Sequence, residues 1–404
     1  MLRLGIACAA LLTSTAAMAG SISYDFRFDF RSDAWDSQHT QASATPGVNN
    51  GYRFTVPVGR LDFKGKLDEA LDYRLRMRFD NFQNDPTNPT QTTNLTQMVD
   101  LAYVRHNIND MFNVTLGKFL SDMGGAEGID STADQYLFSD IYSDMSAAGG
   151  TTSTKNGGVG TSGAMWTGTG MAIKNSLDYA GVKVAGVFGD HEVAIHYANA
   201  TEDSYAPGTA AAAQSQYNVN NNQGWLAVVY KGKFFDNVWK PVLSYHVGPS
   251  YLGTAGPGAN RTYLAFGNWI NVAGWQIEAD YLSNTYKDNG TSTVSGFTGT
   301  LTGFDVQVGY DLGNWLPKLK YASAKKSVSS TLAGGTTENV GSSAYGVVVE
   351  YKPKTENNFR YHLAYMNYTY TPDNSVSVAG GPAGQNLTDT QIIAGCRIDG
   401  DFLK

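Results

Sequence analysis

The nine residues DYRLRMRFD, from Asp72 to Asp80, alternate strictly between charged side chains and apolar or aromatic ones. Successive side chains of a β-strand point to opposite faces, so this stretch, once extended, has one charged face and one apolar face. The charged face carries Arg74, Arg76 and Arg78. The stretch therefore predicts a strand that meets water on one side and an apolar medium on the other.

The same alternation recurs along the whole chain. It is found in ISYDFRFDFR from Ile22, WQIEADY from Trp275, FDVQVGY from Phe304, AYGVVVEY from Ala344 and FRYHLAYMNY from Phe359. Segments of about ten residues with a period of two, separated by turn residues, are typical of strands that are wet on one face and apolar on the other. The pattern predicts an all-β fold.

Short turns and long polar stretches strictly alternate between the predicted strands. The turns lie near 67–69, 108–110, 189–190, 235–237, 271–274, 312–314 and 354–357, and the long stretches lie near 32–50, 84–93, 121–168, 201–223, 249–258, 284–298, 327–341 and 371–386. These seven turns and eight long stretches would join sixteen strands. Tight turns at one end and long loops at the other are the layout of a transmembrane antiparallel β-barrel, which we predict here with about sixteen strands.

Aromatic residues cluster near both ends of the predicted strands. Those beside the turns are Phe112, Phe188, Phe235, Trp239, Trp269, Trp275, Trp315 and Phe359, and those near the loops are Tyr52, Tyr197, Tyr251, Tyr281, Tyr321, Tyr345 and Tyr368. Two aromatic belts around an apolar band are typical of the two interfaces of a membrane. A charge on the lipid face near the midplane costs about 2–4 kcal/mol, so we expect the three arginines of the opening stretch to face the interior.

The N-terminal residues form a separate segment. Arg3 precedes an apolar run from Leu4 to Leu12, and Ala17-Met18-Ala19 precedes Gly20. This arrangement predicts a secretory signal peptide over 1–19, followed by a barrel over 20–404. Cys396 is then the only remaining cysteine, so we expect no internal disulfide. The formal net charge of −7 argues against a nucleic-acid partner.

The longest predicted connection, 121–168, follows the fifth strand. Its first half interleaves acidic residues with aliphatic and aromatic ones, and its second half is rich in Gly, Thr and Ser. A loop of this length is normally functional or disordered. The mixed composition of the first half favours a segment that packs on a wall and presents acids to water.

The chain at this point resembles the general diffusion porins of Gram-negative bacterial outer membranes. The resemblance rests on the sixteen-strand layout with its longest loop after strand five, on Leu116-Gly117-Lys118 before that loop, and on the segment Lys174-Asn175-Ser176-Leu177-Asp178-Tyr179 after it. It implies a barrel in the cell outer membrane, in contact with outer-membrane lipid and lipopolysaccharide. It further implies a homotrimer that passes small hydrophilic solutes and ions, with no cofactor and no enzymatic activity.

The resemblance also implies a constriction, where the long third loop folds into the lumen and its acids face basic residues of the wall. Matching acids are Glu127, Asp130, Asp134, Asp140 and Asp144, and matching basic residues are Arg27, Arg53, Arg60, Arg74, Arg76, Arg78, Lys174 and Lys183. Pro57 and Gly59 predict a bulge in strand two, which leaves the facing of Arg53 and Arg60 open. The alternative is that the arginines of the opening stretch are ordinary lumen residues, paired locally with Asp72 and Asp80.

Three other functions remain open at this point. A channel selective for sugars or anions is one, an outer-membrane enzyme is another, and a purely structural or adhesive barrel is the third. His196 and Glu192 would share a face, but the chain contains no nucleophile elbow and no HExxH motif, so we expect no catalytic residue. The spacing of Glu127, Asp130 and Asp134 does not match a calcium-binding loop, so we expect no metal site. The chain also ends at Asp401-Phe402-Leu403-Lys404 rather than at the terminal Phe of the porins, and we expect Phe402 to replace that residue.

Overall fold

The structure of the protein is a computed structural model. It describes residues 20–35, 51–79, 99–120, 122, 124–129, 134–137, 139, 141, 159–160, 178–199, 224–249, 260–288, 297–330, 337–353, 358–373, 377–378 and 384–402. The predicted signal peptide lies outside these residues. No helix in the described part of the chain has the length and hydropathy needed to span a bilayer.

Sixteen strands form one closed barrel. They are β1 (Ser21–Trp35), β2 (Gly51–Lys66), β3 (Leu71–Arg78), β4 (Val99–Asn107), β5 (Phe112–Leu120), β6 (Asp178–Phe188), β7 (His191–Asn199), β8 (Gly224–Gly232), β9 (Trp239–Pro249), β10 (Asn260–Val272), β11 (Trp275–Asp288), β12 (Phe297–Tyr310), β13 (Trp315–Ser330), β14 (Thr337–Tyr351), β15 (Asn358–Pro372) and β16 (Leu387–Asp401). A one-turn helix, α1 (Ala126–Ile129), lies in the long connection, and Val159–Gly160 pairs with Ser377–Val378 in a separate two-stranded sheet.

Each strand pairs antiparallel with its neighbours in the sequence, and β1 pairs with β16 to close the sheet. Closure leaves no strand edge unpaired, which is the requirement for a sheet in hydrocarbon. The predicted all-β antiparallel barrel of sixteen strands is therefore confirmed. Short and long connections alternate as predicted from β1 to β13, and the longest one separates β5 from β6. The prediction is wrong for 327–341, because β13 and β14 extend into this stretch and leave a connection of 331–336, as short as the one between β14 and β15.

Side chains alternate between the two faces of the barrel as the sequence predicts. Leu319 exposes 62% of its surface on the outside, and its neighbour Lys320 exposes 6% on the inside. The outward face is apolar on strand after strand, while the inward face carries many charged groups. Two predicted belt residues are exceptions. The prediction is wrong for Tyr368, which is buried on the inward face and stacks with Tyr370, and for Trp269, which pairs with inward-facing Glu278.

The tight turns depend on local backbone geometry. Ala273 and Gly274 both have positive φ angles, 49° and 85°, so the two-residue turn between β10 and β11 has the left-handed backbone that favours glycine. Between β4 and β5, the Oδ1 atom of Asn109 accepts hydrogen bonds from the backbone N–H groups of Met111 and Phe112 at 2.9 and 2.8 Å. Such side-chain caps explain why Asn and Asp mark the turn end of the barrel.

The predicted bulge in strand two is confirmed. Arg27 pairs with Val58, but two residues further along β1 Asp29 pairs with Thr55, so β2 contains one extra residue there. On one side of the bulge, Arg60 is paired with Asp25. On the other side, the backbone of Arg53 is paired with that of Arg31. Directly paired residues share a face, so Arg60 lies on the inward side together with Asp25.

The ends of the barrel meet at the β1–β16 seam. The backbone N–H of Phe402 donates a hydrogen bond to the carbonyl of Ile22 at 2.8 Å, and the Phe402 ring lies 4.5 Å from that of Tyr24. Phe402 is thus the aromatic residue that extends the last strand across the seam.

Candidate functional site

The arginines of the opening stretch lie on the inward face and are paired within the wall. Arg74 Nη2 lies 2.7 Å from Asp62 Oδ2 on β2, and Arg76 Nη2 lies 2.7 Å from Asp100 Oδ2 on β4. Arg78 is directly opposite Arg60 in the ladder. The partners of Arg74 and Arg76 are therefore aspartates of neighbouring strands, fixed by the register of the sheet.

Asp72, which the sequence offers as a local partner for these arginines, has other contacts. Its carboxylate accepts hydrogen bonds from Arg105 and Asn107 on β4, both at 3.0 Å. Asp80, the other candidate partner, lies outside the described residues.

The long connection begins with an ion-pair cluster. Asp122 Oδ2 lies 2.5 Å from Lys183 Nζ on β6 and 3.0 Å from Lys231 Nζ on β8. Burial raises the pKa of the Asp122 carboxyl, but the two ammonium groups outweigh burial and hold that pKa well below its ordinary value. Asp122 therefore stays charged and fastens the start of the loop to the wall.

The helix α1 is held against β9, β10 and β11. Ser244 Oγ exchanges hydrogen bonds with the backbone of Gly124 at 3.1 Å, and Asp280 accepts from the N–H of Glu127 at 2.7 Å and from that of Ala126. A Cβ at Gly267 would lie 2.3 Å from the Gly125 Cα, so the two backbones are in direct contact. Only a residue without a side chain permits this approach.

Glu127 makes the most buried ion pair of the described loop. Its carboxylate lies 2.5 Å from Lys320 Nζ on β13, and both side chains are 4% exposed. The N–H and hydroxyl of Ser139 also donate to it, at 2.9 and 2.8 Å, while the Ser139 hydroxyl lies 3.2 Å from Asp305 on β12. A charge this deep is tolerated only when it is paired and hydrogen-bonded, and here both conditions are met.

Asp134 bridges two arginines on neighbouring strands. Its Oδ1 lies 3.0 Å from Arg360 Nη2 on β15 and 2.5 Å from Arg397 Nη1 on β16. Burial raises the pKa of Asp134, but the two guanidinium groups outweigh burial and lower it below the ordinary value. Asp134 therefore remains an anion, and its side chain is still 45% exposed.

The next two loop residues contact β1 and β15. Arg27 Nη1 donates to the backbone carbonyl of Gln135 at 2.6 Å, and the Arg27 guanidinium lies 4.3 Å from the centre of the Tyr136 ring. The His362 ring also lies beside that of Tyr136, at 4.4 Å between centroids. His362 Nε2 in turn lies 2.8 Å from Asp29. The described loop residues thus follow the inner wall from β6 to β16 and reach β1.

The structure brings together only part of the set of residues predicted for the constriction. Glu127 and Asp134 contact wall cations, Arg27 contacts the loop backbone, and Lys183 contacts Asp122. The other predicted residues that the structure describes lie on the wall strands β2 and β3, namely Arg53, Arg60, Arg74, Arg76 and Arg78. Asp130, Asp140, Asp144 and Lys174 lie outside the described residues.

Among the described residues, wall cations that the sequence analysis missed lie beside the loop or beside its wall partners, namely Lys231, Lys318, Lys320, Arg360 and Arg397. The signal that finds them is the same alternation as in the opening stretch. In FRYHLAYMNY, Arg360 shares the parity of His362, and in WLPKLKY the two lysines share one face. Alternation places them on the inward side but does not reveal which loop residue they meet.

The residues weighed as an enzyme site lie on the inward face of β7. The His196 ring packs at right angles to the Phe119 ring at 5.7 Å and to the His246 ring at 6.4 Å. Glu192 is paired in the ladder with Lys231. Aromatic rings are only part of the surroundings of His196, because Lys183 of the Asp122 ion-pair cluster is directly opposite it in the ladder.

A cavity of about 370 Å³ opens near the turn end of the barrel. Its lining includes Arg60, Arg74, Arg76 and Arg397 together with Asp25, Asp62 and Asp399. Charged groups of both signs thus surround a water-accessible space beside the Asp134 bridge.

No protein-family model matches the chain, and no curated protein matches it in sequence. Solved structures do match. The trimer form of OmpT, an outer membrane protein of Vibrio cholerae, aligns with a TM-score of 0.56 and 10% identity over 95% of this chain and 100% of its own. An anion-selective porin from Comamonas acidovorans aligns with a TM-score of 0.56 and 11% identity over 95% and 99% of the two chains. OmpF of Salmonella typhi, in complex with daunomycin, aligns with a TM-score of 0.53 and 13% identity over 94% and 97%.

Likeness at this level of identity concerns the fold. Each comparison covers nearly the whole of both chains, so the match extends around the complete barrel rather than over a few hairpins. The predicted resemblance is confirmed at that level, and the chain has the closed antiparallel barrel fold of the outer-membrane porins.

Proposed function

We propose that the protein is an outer-membrane porin, a water-filled channel through which small hydrophilic solutes and ions diffuse passively. The observation that carries the proposal is the separation of the two barrel faces. An apolar outward face matches lipid, and a charged inward face has to be hydrated. Sixteen strands also give a barrel wide enough for an aqueous channel, whereas barrels of about eight strands are filled by side chains.

The long connection would form the constriction of this channel. Its described residues contact inward-facing side chains on strands from β6 around to β1, which supports a loop that narrows the lumen. Loop acids on one side and the arginines of β2 and β3 on the other would set a field across the passage. Opposed charges in a confined space orient dipolar solutes and bias ion passage.

The location and assembly follow from the same proposal. Residues 1–19 would direct export, and the apolar outward face would be embedded in outer-membrane lipid and lipopolysaccharide. The solved trimer form of the Vibrio cholerae OmpT supports a homotrimer for this chain. Transport through such a channel needs neither a cofactor nor a catalytic residue, so His196 and Glu192 would be lining residues.

Planar bilayer recording tests the proposal. Protein refolded in detergent should insert as discrete conductance steps that scale with salt concentration, and proteoliposomes should swell in small sugars more quickly than in large ones. Unfolded protein at the same detergent concentration is the control. A folded, heat-modifiable barrel that gives no conductance and no swelling would contradict the channel assignment and favour a structural barrel.

A further inference from the structure

Three arginines form one rung across the inward face. Arg360 on β15 is directly opposite Arg397 on β16, and Arg397 is directly opposite Arg27 on β1. Like charges in directly opposed positions repel each other across strands. Such a rung is therefore unfavourable unless anions are placed against it.

Acids of the wall neutralise most of this rung. Glu350 lies 3.1 Å from Arg360 Nη1, and Asp25 lies 2.7 Å from Arg397 Nε and 3.0 Å from its Nη2. These contacts hold each guanidinium plane in a fixed orientation. These wall acids leave Nη2 of Arg360 and Nη1 of Arg397 for another group.

Both remaining donors converge on one point, the Oδ1 atom of Asp134, at 3.0 and 2.5 Å. We infer that Arg360 and Arg397 form a binding seat for the carboxylate of a small anionic solute, and that Asp134 is its built-in occupant. Guanidinium groups match carboxylates because their N–H donors are directional and planar. A carboxylate of a solute can make the same two hydrogen bonds as the Asp134 side chain.

The different exposure of the three side chains allows a solute carboxylate to replace that of Asp134. The Asp134 side chain is 45% exposed, whereas those of Arg360 and Arg397 are 10% and 7% exposed. Asp134 can therefore rotate into water while the arginines stay in place. The loop would remain attached, since Arg27 holds the carbonyl of Gln135 at 2.6 Å and Lys320 holds Glu127 at 2.5 Å.

The cavity at the turn end gives such a solute a route. Arg397 lines it together with three further arginines and four aspartates, so a solute in this cavity is next to the seat. Asp399 is a second acid near the seat, 3.5 Å from Arg360 and 3.6 Å from Arg397. Both distances are longer than those from Asp134 to the same two arginines. The inference rests on the proposed function in that the solute arrives through the lumen.

Succinate is the probe. We expect it to block the chloride current saturably, and we expect the Asp134→Ala variant to lower the half-blocking concentration about tenfold, which corresponds to about 1.4 kcal/mol. Asp399→Asn is the matched control, because it removes one negative charge from the same neighbourhood but no occupant from the seat. It should change the half-blocking concentration by less than about twofold. Arg397→Gln and Arg360→Gln, tested separately for barrel assembly by gel heat-shift, should each abolish saturable block.

Calorimetric titration of succinate into the detergent-refolded protein provides a second readout that needs no current. Chloride conductance without saturable block and without calorimetric binding would overturn the seat and leave the channel intact. A third outcome is a protein that gives no conductance but binds succinate in calorimetry, with the binding lost in the arginine variants. That outcome would support the seat and contradict the channel. Equal effects of Asp134→Ala and Asp399→Asn would overturn the seat, because a general change of charge would then explain both.

Discussion

Two arcs of the inner wall carry charge in different ways. In the self-paired arc, β2–β4, Arg74 and Arg76 are matched by aspartates of adjacent strands, as Arg76 is by Asp100 at 2.7 Å. In the loop-paired arc, β13–β16, cations meet acids of the long connection in addition to acids of the wall, as Lys320 meets Glu127 at 2.5 Å and Lys318 meets Glu350 at 2.6 Å. The first arrangement is complete once the sheet has formed. The second is complete only when the loop has packed, so a break there should move the loop as well as change the charge.

Among substitutions that test the difference between the two arcs, we expect the largest effect from Lys320→Met, which breaks an ion pair of the loop-paired arc. It leaves the Glu127 carboxylate buried without its ammonium partner, and breaking a buried pair costs about 3–5 kcal/mol. We expect the loop to detach while the barrel stays assembled. Thermolysin cleavage within 122–141 and larger fluctuations of single-channel current are the measurements.

Arg76→Met is the matched control for this prediction, since it breaks a short ion pair in the self-paired arc. It should leave the loop resistant to thermolysin. Equal cleavage in the two variants would remove the distinction between the arcs.

A smaller effect is expected from Gly267→Ala. The added Cβ would lie 2.3 Å from the Gly125 Cα, so the loop has to shift away from β10. Overpacking of this kind costs about 1–3 kcal/mol. We expect faster thermolysin cleavage of the loop than in the parent protein. Gly341→Ala is the control, because its Cβ would meet nothing closer than 3.8 Å, and it should behave like the parent.

Acid should loosen the start of the loop only at low pH. The pKa of Asp122 is lower in the folded protein than in the unfolded chain, so its attachment to Lys183 and Lys231 stabilises the fold fully above the ordinary aspartate pKa. That contribution is lost as the pH falls below this value through the lowered one. Cleavage of the loop by an acid protease should therefore rise only below about pH 4.

Asp122→Asn should remove this pH dependence and leave the loop loosened at every pH. A transition near pH 6 that persists in Asp122→Asn would contradict the assignment and indicate a histidine instead.

The smallest effect is expected in the self-paired arc itself. Arg76→Ser leaves Asp100 unneutralised and should shift the permeability ratio toward cations by at most about twofold, because one net charge in a salt-filled lumen is screened. The double variant Arg76→Ser/Asp100→Ser restores neutrality and should return the reversal potential to that of the parent. A shift that persists in the double variant would show that the arginine itself, rather than the net charge, sets selectivity.

The fold is predictable from the sequence because its signal is local. A strand such as DYRLRMRFD has only one arrangement in a membrane that keeps three arginines out of lipid, and turn residues mark where each strand ends. Side-chain type predicts the facing of a residue less well where aromatic as well as charged side chains can face the interior. Tyr368 is inward although aromatic, because alternation along β15 continues unbroken to the loop end.

The partners of the loop could not be predicted in this way. Asp134 is 226 residues from Arg360 and 263 from Arg397, and no period in the sequence relates them. Their meeting depends on closure of the β1–β16 seam and on the path of the loop along the wall from β6 to β16. Self-paired contacts, by contrast, follow from register between adjacent strands, which sequence patterns do constrain.

The central claim is that the two faces of each strand meet water and lipid respectively, and the opening stretch allows it to be tested with two adjacent residues. In a Cys396→Ser background, which removes the free cysteine of the barrel, Arg74→Cys and Leu75→Cys would be treated with a charged, membrane-impermeant thiosulfonate while current is recorded across a bilayer. We predict that Arg74→Cys reacts and its current falls, and that Leu75→Cys neither reacts nor changes. Reaction at Leu75→Cys with none at Arg74→Cys would contradict the assigned facing and, with it, the water-filled lumen.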